Sequence, residues 1–155
     1  MTKSVERYVW LLRYVPLILW IGVIFFLSSS QGSMSETSRI IRPILEFLFP
    51  DASPEAISFY HGVIRKFAHF AEYAVLGLLA FRAFVRSRFQ NRALIFSILL
   101  ALVIAVIDET SQSFNAERTG SAVDVLIDVS GACCAIAIVW LVGKRPLFRR
   151  SDMPA

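Results

Sequence analysis

The sequence predicts an all-α integral membrane protein: a bundle of four transmembrane helices with an interfacial amphipathic helix between the first and the second. Three observations carry that prediction. Of the 155 residues, 56% are hydrophobic and 18% charged, and the mean hydropathy is +0.61; a soluble domain sits nearer half apolar and a quarter charged. Four apolar stretches, 8–28, 67–84, 93–112 and 122–142, are each long enough to cross roughly 30 Å of hydrocarbon at about 1.5 Å per residue. The basic residues flank these stretches and form no stripe. The net charge of +4 and the pI of about 9.4 therefore reflect membrane orientation, not nucleic-acid binding. One membrane domain over residues 1–155 is expected.

Span one is preceded by Lys3 and Arg7, and Arg13, near its start, is placed to snorkel to the headgroups. A cleaved signal peptide, with Ser28-Ser29-Ser30 after its apolar core, fits less well because the apolar run is long for one. Residues 35–49 then put Ile40, Ile41, Ile44, Leu45, Phe47 and Leu48 on one broad face, opposite Arg39, Arg42 and Glu46. That pattern predicts a helix lying in the membrane interface, with Pro43 near its start or kinking it. Ser53-Pro54-Glu55 reads as an N-cap, a proline at the first helical position and an acid in the first turn. A helix beginning there would pass through His61 and continue as span two.

Orientation follows from the positive charges. Residues Lys3, Arg7, Arg13, Arg82, Arg86, Arg88, Arg92, Lys144, Arg145, Arg149 and Arg150, eleven of the sixteen Lys and Arg, fall on one side of the membrane. Both termini are therefore expected to be cytoplasmic. Adjacent Cys133 and Cys134 lie in the middle of span four, without CxxC spacing or zinc partners. They read as small packing residues, with a redox pair as the alternative.

The polar residues concentrate at the opposite end. On span two, Arg65, Lys66, His69, Glu72 and Tyr73 fall within an arc of roughly 120° at about 100° per residue, with Gly77 and Ala80 continuing that face. On span three, Asp108, Glu109 and Gln112 share an arc of about 100°, extended by Ala101 and Ala105. On span four, Asp124 and Asp128 lie one turn apart above Gly131 and Ala135. Small residues so spaced let membrane helices approach closely, and the topology brings all three polar patches to the outer leaflet.

Charge at the bilayer centre costs about 3 kcal/mol on insertion scales, so the cluster asks for a purpose. A buried ion network, with Lys66 or Arg118 paired to Glu72 or Glu109, would fix helix register; one or two polar residues suffice for that. The surplus points to chemistry or ligand binding. His69 is either a satisfied buried histidine or, with Glu72 one turn away, half of an acid–base pair. Glu109, beside Asp108 near a span end, is the strongest single candidate for a general base. Asp124 and Asp128, with the acids of span three, have the oxygens a divalent cation such as Mg2+ or Ca2+ takes; equally they can accept hydrogen bonds from Arg118. Arg118 itself suits phosphate or carboxylate in forked geometry, or simply lipid phosphates. No nucleophile-elbow, zincin, Walker or Rossmann motif is present, and no cofactor is required.

At four stretches the chain resembles the VanZ family of small bacterial membrane proteins. These are Ser28-Ser29-Ser30-Gln31; Arg65-Lys66-Phe67-Ala68-His69-Phe70-Ala71-Glu72-Tyr73; Asp108-Glu109-Thr110-Ser111-Gln112-Ser113-Phe114; and residues 118–128, from Arg118 through Asp124 to Asp128. The resemblance covers roughly residues 10–142. One departure is Asn115-Ala116-Glu117, where the family often has a Pro-Gly type turn before the arginine. The resemblance implies a bacterial plasma (inner) membrane location and an association with lowered susceptibility to teicoplanin-type lipoglycopeptides. It implies no settled biochemical activity.

Two functions are expected to compete. In the first, an envelope protein binds a membrane lipid or lipid-linked envelope precursor: Arg65, Lys66 and Arg118 meet phosphate, while Glu72, Glu109 and Asp124 meet polar or sugar groups. In the second, a membrane-embedded hydrolase or transferase acts on such a substrate, with Glu109 or His69 as general base. A proton-coupled transporter subunit is the weaker third, because the cytoplasmic half offers no relay residues. Glu109→Gln separates them. Catalysis predicts abolished function with ligand binding largely intact, pure binding predicts graded losses across many residues, and a structural network predicts loss of folded protein.

Overall fold

The computed structural model describes residues 3–29, 34–85, 90–113 and 121–143. Five helices make up almost all of them: α1 (Lys3–Ser28), α2 (Met34–Leu48), α3 (Pro54–Phe84), α4 (Gln90–Ser113) and α5 (Ala122–Gly143). Four contain spans long and apolar enough to cross a membrane, Tyr8–Ser28, Pro54–Phe84, Asn91–Ser113 and Ala122–Val142. Among the described residues there is no strand. The architecture is an all-α membrane bundle, with α1 and α4 running toward one end and α3 and α5 running back from it.

α3 starts where its capping signals lie. Ser53 is extended at φ −66° and ψ 156°, its hydroxyl oxygen accepts from the Ala56 N–H at 3.3 Å, and Pro54 follows at the first helical position. The helix is 31 residues long, about 46 Å at 1.5 Å per residue. It begins at Pro54 rather than at the start of the apolar run near Phe67, because a capped and satisfied first turn lets the helix form ahead of its apolar section. Those early turns carry α2. The His61 ring is buried between Thr37 Oγ1 at 3.2 Å from Nε2 and Ser38 Oγ at 3.3 Å from Nδ1.

α2 has three faces. Leu45 is buried toward the bundle, whereas Ile40, Ile44, Phe47 and Leu48 are exposed, and Arg42 pairs with Glu46 at 2.8 Å on the third face. An apolar stripe beside a charged one suits a helix lying in an interface. Pro43 falls inside the helix, where it removes one backbone donor without ending it.

Within lipid, apolar surface gives helices little reason to associate, so close packing and polar contacts decide the bundle. The closest packing is between α3 and α5. A Cβ added at Gly77 would lie 2.9 Å from the Ala132 Cα and carbonyl oxygen, and one at Gly131 would collide with the Phe70 carbonyl. Ala80, Ala101, Ala105, Ala132 and Ala135 are all buried around this seam, and Tyr73, Leu76 and Ile104 fill it. Large side chains such as Phe26, Leu126 and Ile138 point outward.

α1 is clamped to α3 by donors reaching backbone carbonyls. Trp20 Nε1 donates to Glu72 O at 3.0 Å, Arg82 Nη2 to Leu12 O at 3.2 Å and Arg13 Nη1 to Val85 O at 3.3 Å. Arg13 thus also caps the end of α3: the carbonyls of a helix C-terminus lack intrahelical donors, and a guanidinium supplies one.

The two kinds of helical glycine should respond oppositely to substitution. Gly131→Ala is expected to destabilise the protein by about 1–3 kcal/mol through overpacking. Gly62→Ala, with nothing within 4 Å of the added carbon, should be stabilising by about 0.5–1 kcal/mol. Thermal unfolding in detergent micelles, followed by helical circular dichroism, measures both.

Candidate functional site

At the end of the bundle where α1 and α4 finish and α5 starts, α3, α4 and α5 turn polar faces toward one another. Tyr73, Asp108, Glu109, Gln112 and Asp128 are between 0 and 6% exposed. Asp128 stands six residues into α5, about 9 Å along the axis, three residues before the Gly131 contact. The close approach at Gly131 brings His69, the residue before Phe70, next to it: His69 Nδ1 lies 3.4 Å from Asp128 Oδ1. The two groups are near enough to attract but are not aligned as a hydrogen bond.

Gln112 is the connector. Its amide nitrogen donates to Ser28 Oγ on α1 and, at 3.2 Å, to Asp108 Oδ2 one turn back. Its Oε1 accepts from Arg65 Nη2 at 3.3 Å. One side chain therefore joins α1, α3 and α4 at the mouth of the site. Glu109 makes the link to α5: its Oε2 accepts the Ser121 N–H at 2.9 Å, placing a carboxylate at a helix N-terminus, where the helix dipole favours it. The Ser121 hydroxyl in turn accepts from the Val123 N–H at 3.1 Å.

Some buried polar atoms remain unsatisfied. Among the described residues, Tyr73 Oη and both carboxylate oxygens of Asp128 have no hydrogen-bond partner. One ligand atom each from His69, Glu109 and Asp128 lies within 4.8 Å of the others, a spacing on the scale of a metal centre.

The residues expected from the sequence do not all converge. Arg65, His69, Tyr73, Asp108, Glu109, Gln112 and Asp128 do; Glu72 and Asp124 are half-buried beside them, and Lys66 is exposed on α3. Arg118 and the Asn115-Ala116-Glu117 turn lie outside the described residues. Of the set expected for a cation, Asp124 and Asp128 with the span-three acids, Asp128 and Glu109 are among the three residues whose ligand atoms lie within 4.8 Å of one another, and His69 is the third. Three participants carried no assigned role beforehand, namely Ser28, Trp20 and Ser121. Ser28 had a signal, since it ends the apolar run of span one, but its partner is 84 residues away. A cavity of about 50 Å³, lined by Ser38, Arg42, Pro54, Ile57, Ser58 and His61, lies between α2 and α3, away from this cluster.

Together these features define a small multi-pass membrane protein with a cluster of acidic residues and one histidine buried at one end. The family model described as VanZ/LLP1 matches residues 14–143, and the chain belongs to this VanZ family. No curated protein and no solved structure matches it.

Two substitutions separate the connector from the unsatisfied groups. Gln112→Leu should lower stability by about 1–3 kcal/mol, because the partners it leaves are themselves partly buried. Tyr73→Phe removes a hydroxyl with no partner among the described residues and should leave stability unchanged or slightly raised. Unfolding of purified protein in mixed micelles reads both.

Proposed function

We propose that this VanZ-family protein resides in the bacterial plasma membrane with both termini cytoplasmic, and that its polar site opens to the outer leaflet. There it binds the polar headgroup of a lipid or lipid-linked envelope compound, and this occupancy lowers susceptibility to teicoplanin-type lipoglycopeptides. The observation that carries the reading is the surplus of hydrogen-bonding capacity at Tyr73 and Asp128, inside a bundle whose other buried polar groups are mostly spoken for. Buried acceptors without donors are costly, and hydroxyl or amine groups of a sugar-like headgroup would supply those donors. Arg65, half-buried at the mouth beside Gln112, is positioned to meet a phosphate as it enters, with Lys66 and Arg118 as further cations of the same chain. The exposed apolar face of α2 would keep the helix beside that entrance at headgroup depth.

The same residues support a second reading, a hydrolase or transferase acting on that class of compound. What favours it is the His69–Asp128 pair at 3.4 Å with Glu109 alongside. An imidazole oriented by a carboxylate is a common general acid–base arrangement. Glu109 would be the second base candidate, and Glu72 a flanking charge.

A susceptibility assay tests the primary reading. Teicoplanin and vancomycin are compared in a bacterial host expressing wild type or Glu109→Gln, with membrane abundance of folded protein matched. Wild type should protect selectively against teicoplanin, and Glu109→Gln should remove most of that protection. Equal protection by both proteins, or none from wild type, contradicts the reading.

A further inference from the structure

Beyond headgroup binding, and resting on that reading only for the place it occurs, we infer that His69, Glu109 and Asp128 form a site for one divalent transition-metal ion of the Zn2+ class. The three side chains come from three different helices, α3, α4 and α5, and one ligand atom of each lies within 4.8 Å of the other two. A tetrahedral ion with bonds of about 2.0–2.2 Å holds its ligands about 3.4 Å apart. The His69–Asp128 pair already has that spacing at 3.4 Å. A pair at the 4.8 Å limit would have to close by about 1.4 Å, which lies within the reach of side-chain torsions.

An acidic cluster alone would not make a site. Beside it the fully buried Tyr73 hydroxyl has no hydrogen-bond partner among the described residues. Asp128 is fully buried, and so is Tyr73; neither carboxylate oxygen of Asp128 nor the tyrosine hydroxyl finds a hydrogen-bond partner among the described residues. The Tyr73 hydroxyl lies in the field of the Asp108, Asp128 and Glu109 carboxylates. A buried carboxylate whose neighbouring imidazole is not aligned to donate a hydrogen bond is an expensive arrangement for a protein to hold. One cation removes the problem: it takes a carboxylate oxygen directly, offsets the mutual repulsion of the acids, and leaves a bound water for Tyr73 to contact.

The donor set selects the ion. Mg2+ and Ca2+ prefer oxygen ligands alone, whereas imidazole with carboxylates suits Zn2+, Mn2+ or Co2+. Three protein ligands leave a coordination position open, the pattern of zinc sites that also bind a water or substrate. A headgroup phosphate or hydroxyl would fit that position, which gives the headgroup reading a concrete anchor. His69, whose side chain is 15% exposed, marks the entry side. One of the three ligands is already held in place, since the Ser121 N–H fixes Glu109. Such supporting contacts are typical of metal centres.

The test uses the full-length protein in detergent, stripped with EDTA and shown to be folded by gel filtration and circular dichroism. Co2+ is titrated while the visible d–d absorption is followed, and Zn2+ binding is measured by calorimetry and by competition against the cobalt spectrum. One equivalent should bind, with an absorption strength typical of four- or five-coordinate cobalt. His69→Ala and Asp128→Asn should each weaken binding more than about tenfold, while Asp51→Asn, an exposed acid elsewhere, should not change it. Folded wild type that takes up no cobalt overturns the inference, as does binding unaffected by the first two substitutions. Failure of the headgroup reading shows separately: susceptibility is then unaltered while cobalt still binds at His69 and Asp128.

Discussion

Backbone contact between α3 and α5 fixes the position of everything else in this bundle. Gly131 lets α5 rest on the Phe70 carbonyl, and Gly77, about two turns further along α3, does the same against Ala132. His69 is the residue before Phe70, and Asp128 is one turn before Gly131. The contact that holds the helices together is therefore also the contact that brings imidazole to carboxylate. Any side chain at Gly131 would push the axes apart, and the short distances of the site are the first thing such a shift would remove. α4 completes the arrangement because Ala101 and Ala105 let it approach the same axis.

This geometry has an energetic consequence. In lipid, the helices gain little from apolar burial, and interhelical hydrogen bonds average well under 2 kcal/mol. The bundle nevertheless keeps Asp108, Glu109 and Asp128 almost completely buried. The stabilising contacts lie elsewhere: the small-residue seam, the Trp20, Arg13 and Arg82 donors that fasten α1, and the Gln112 hub. Strained or under-satisfied groups that persist in a folded protein tend to mark functional sites. The arrangement reads as a scaffold stable enough to tolerate an unfavourable cluster, whose missing partners a ligand would supply under the function proposed above.

The sequence makes the helices legible for simple reasons. Long apolar runs, the Ser53-Pro54-Glu55 start and the amphipathic pattern of residues 35–49 are all local signals, and each corresponds to a helix in the structure. The small residues Gly77 and Gly131 could be placed on the polar faces by periodicity, which is why the seam was legible too. Atomic convergence was not. A helical wheel gives direction but not depth, so Lys66, at the edge of its arc, could not be told from His69, and Asp124 could not be told from Asp128. Partners distant in sequence were invisible for the same reason: nothing local links Ser28 to Gln112, Trp20 to the Glu72 carbonyl, or His61 to Thr37 and Ser38. Arg13 could be placed near the start of span one, but its bond to the Val85 carbonyl joins positions 72 residues apart and leaves no local trace.

The central claim is that the acidic cluster is held against its own energetic cost because it serves a ligand. The most direct measurement is the unfolding temperature of metal-stripped wild type against Asp108→Asn/Glu109→Gln/Asp128→Asn in the same micelles. The amides keep the acceptor oxygens used by Ser121 and Gln112 while removing the buried charge. The account predicts that the neutralised protein unfolds at a higher temperature than wild type. A lower unfolding temperature would mean that the carboxylates hold the bundle together, and the cluster would then be a structural network and not a binding site.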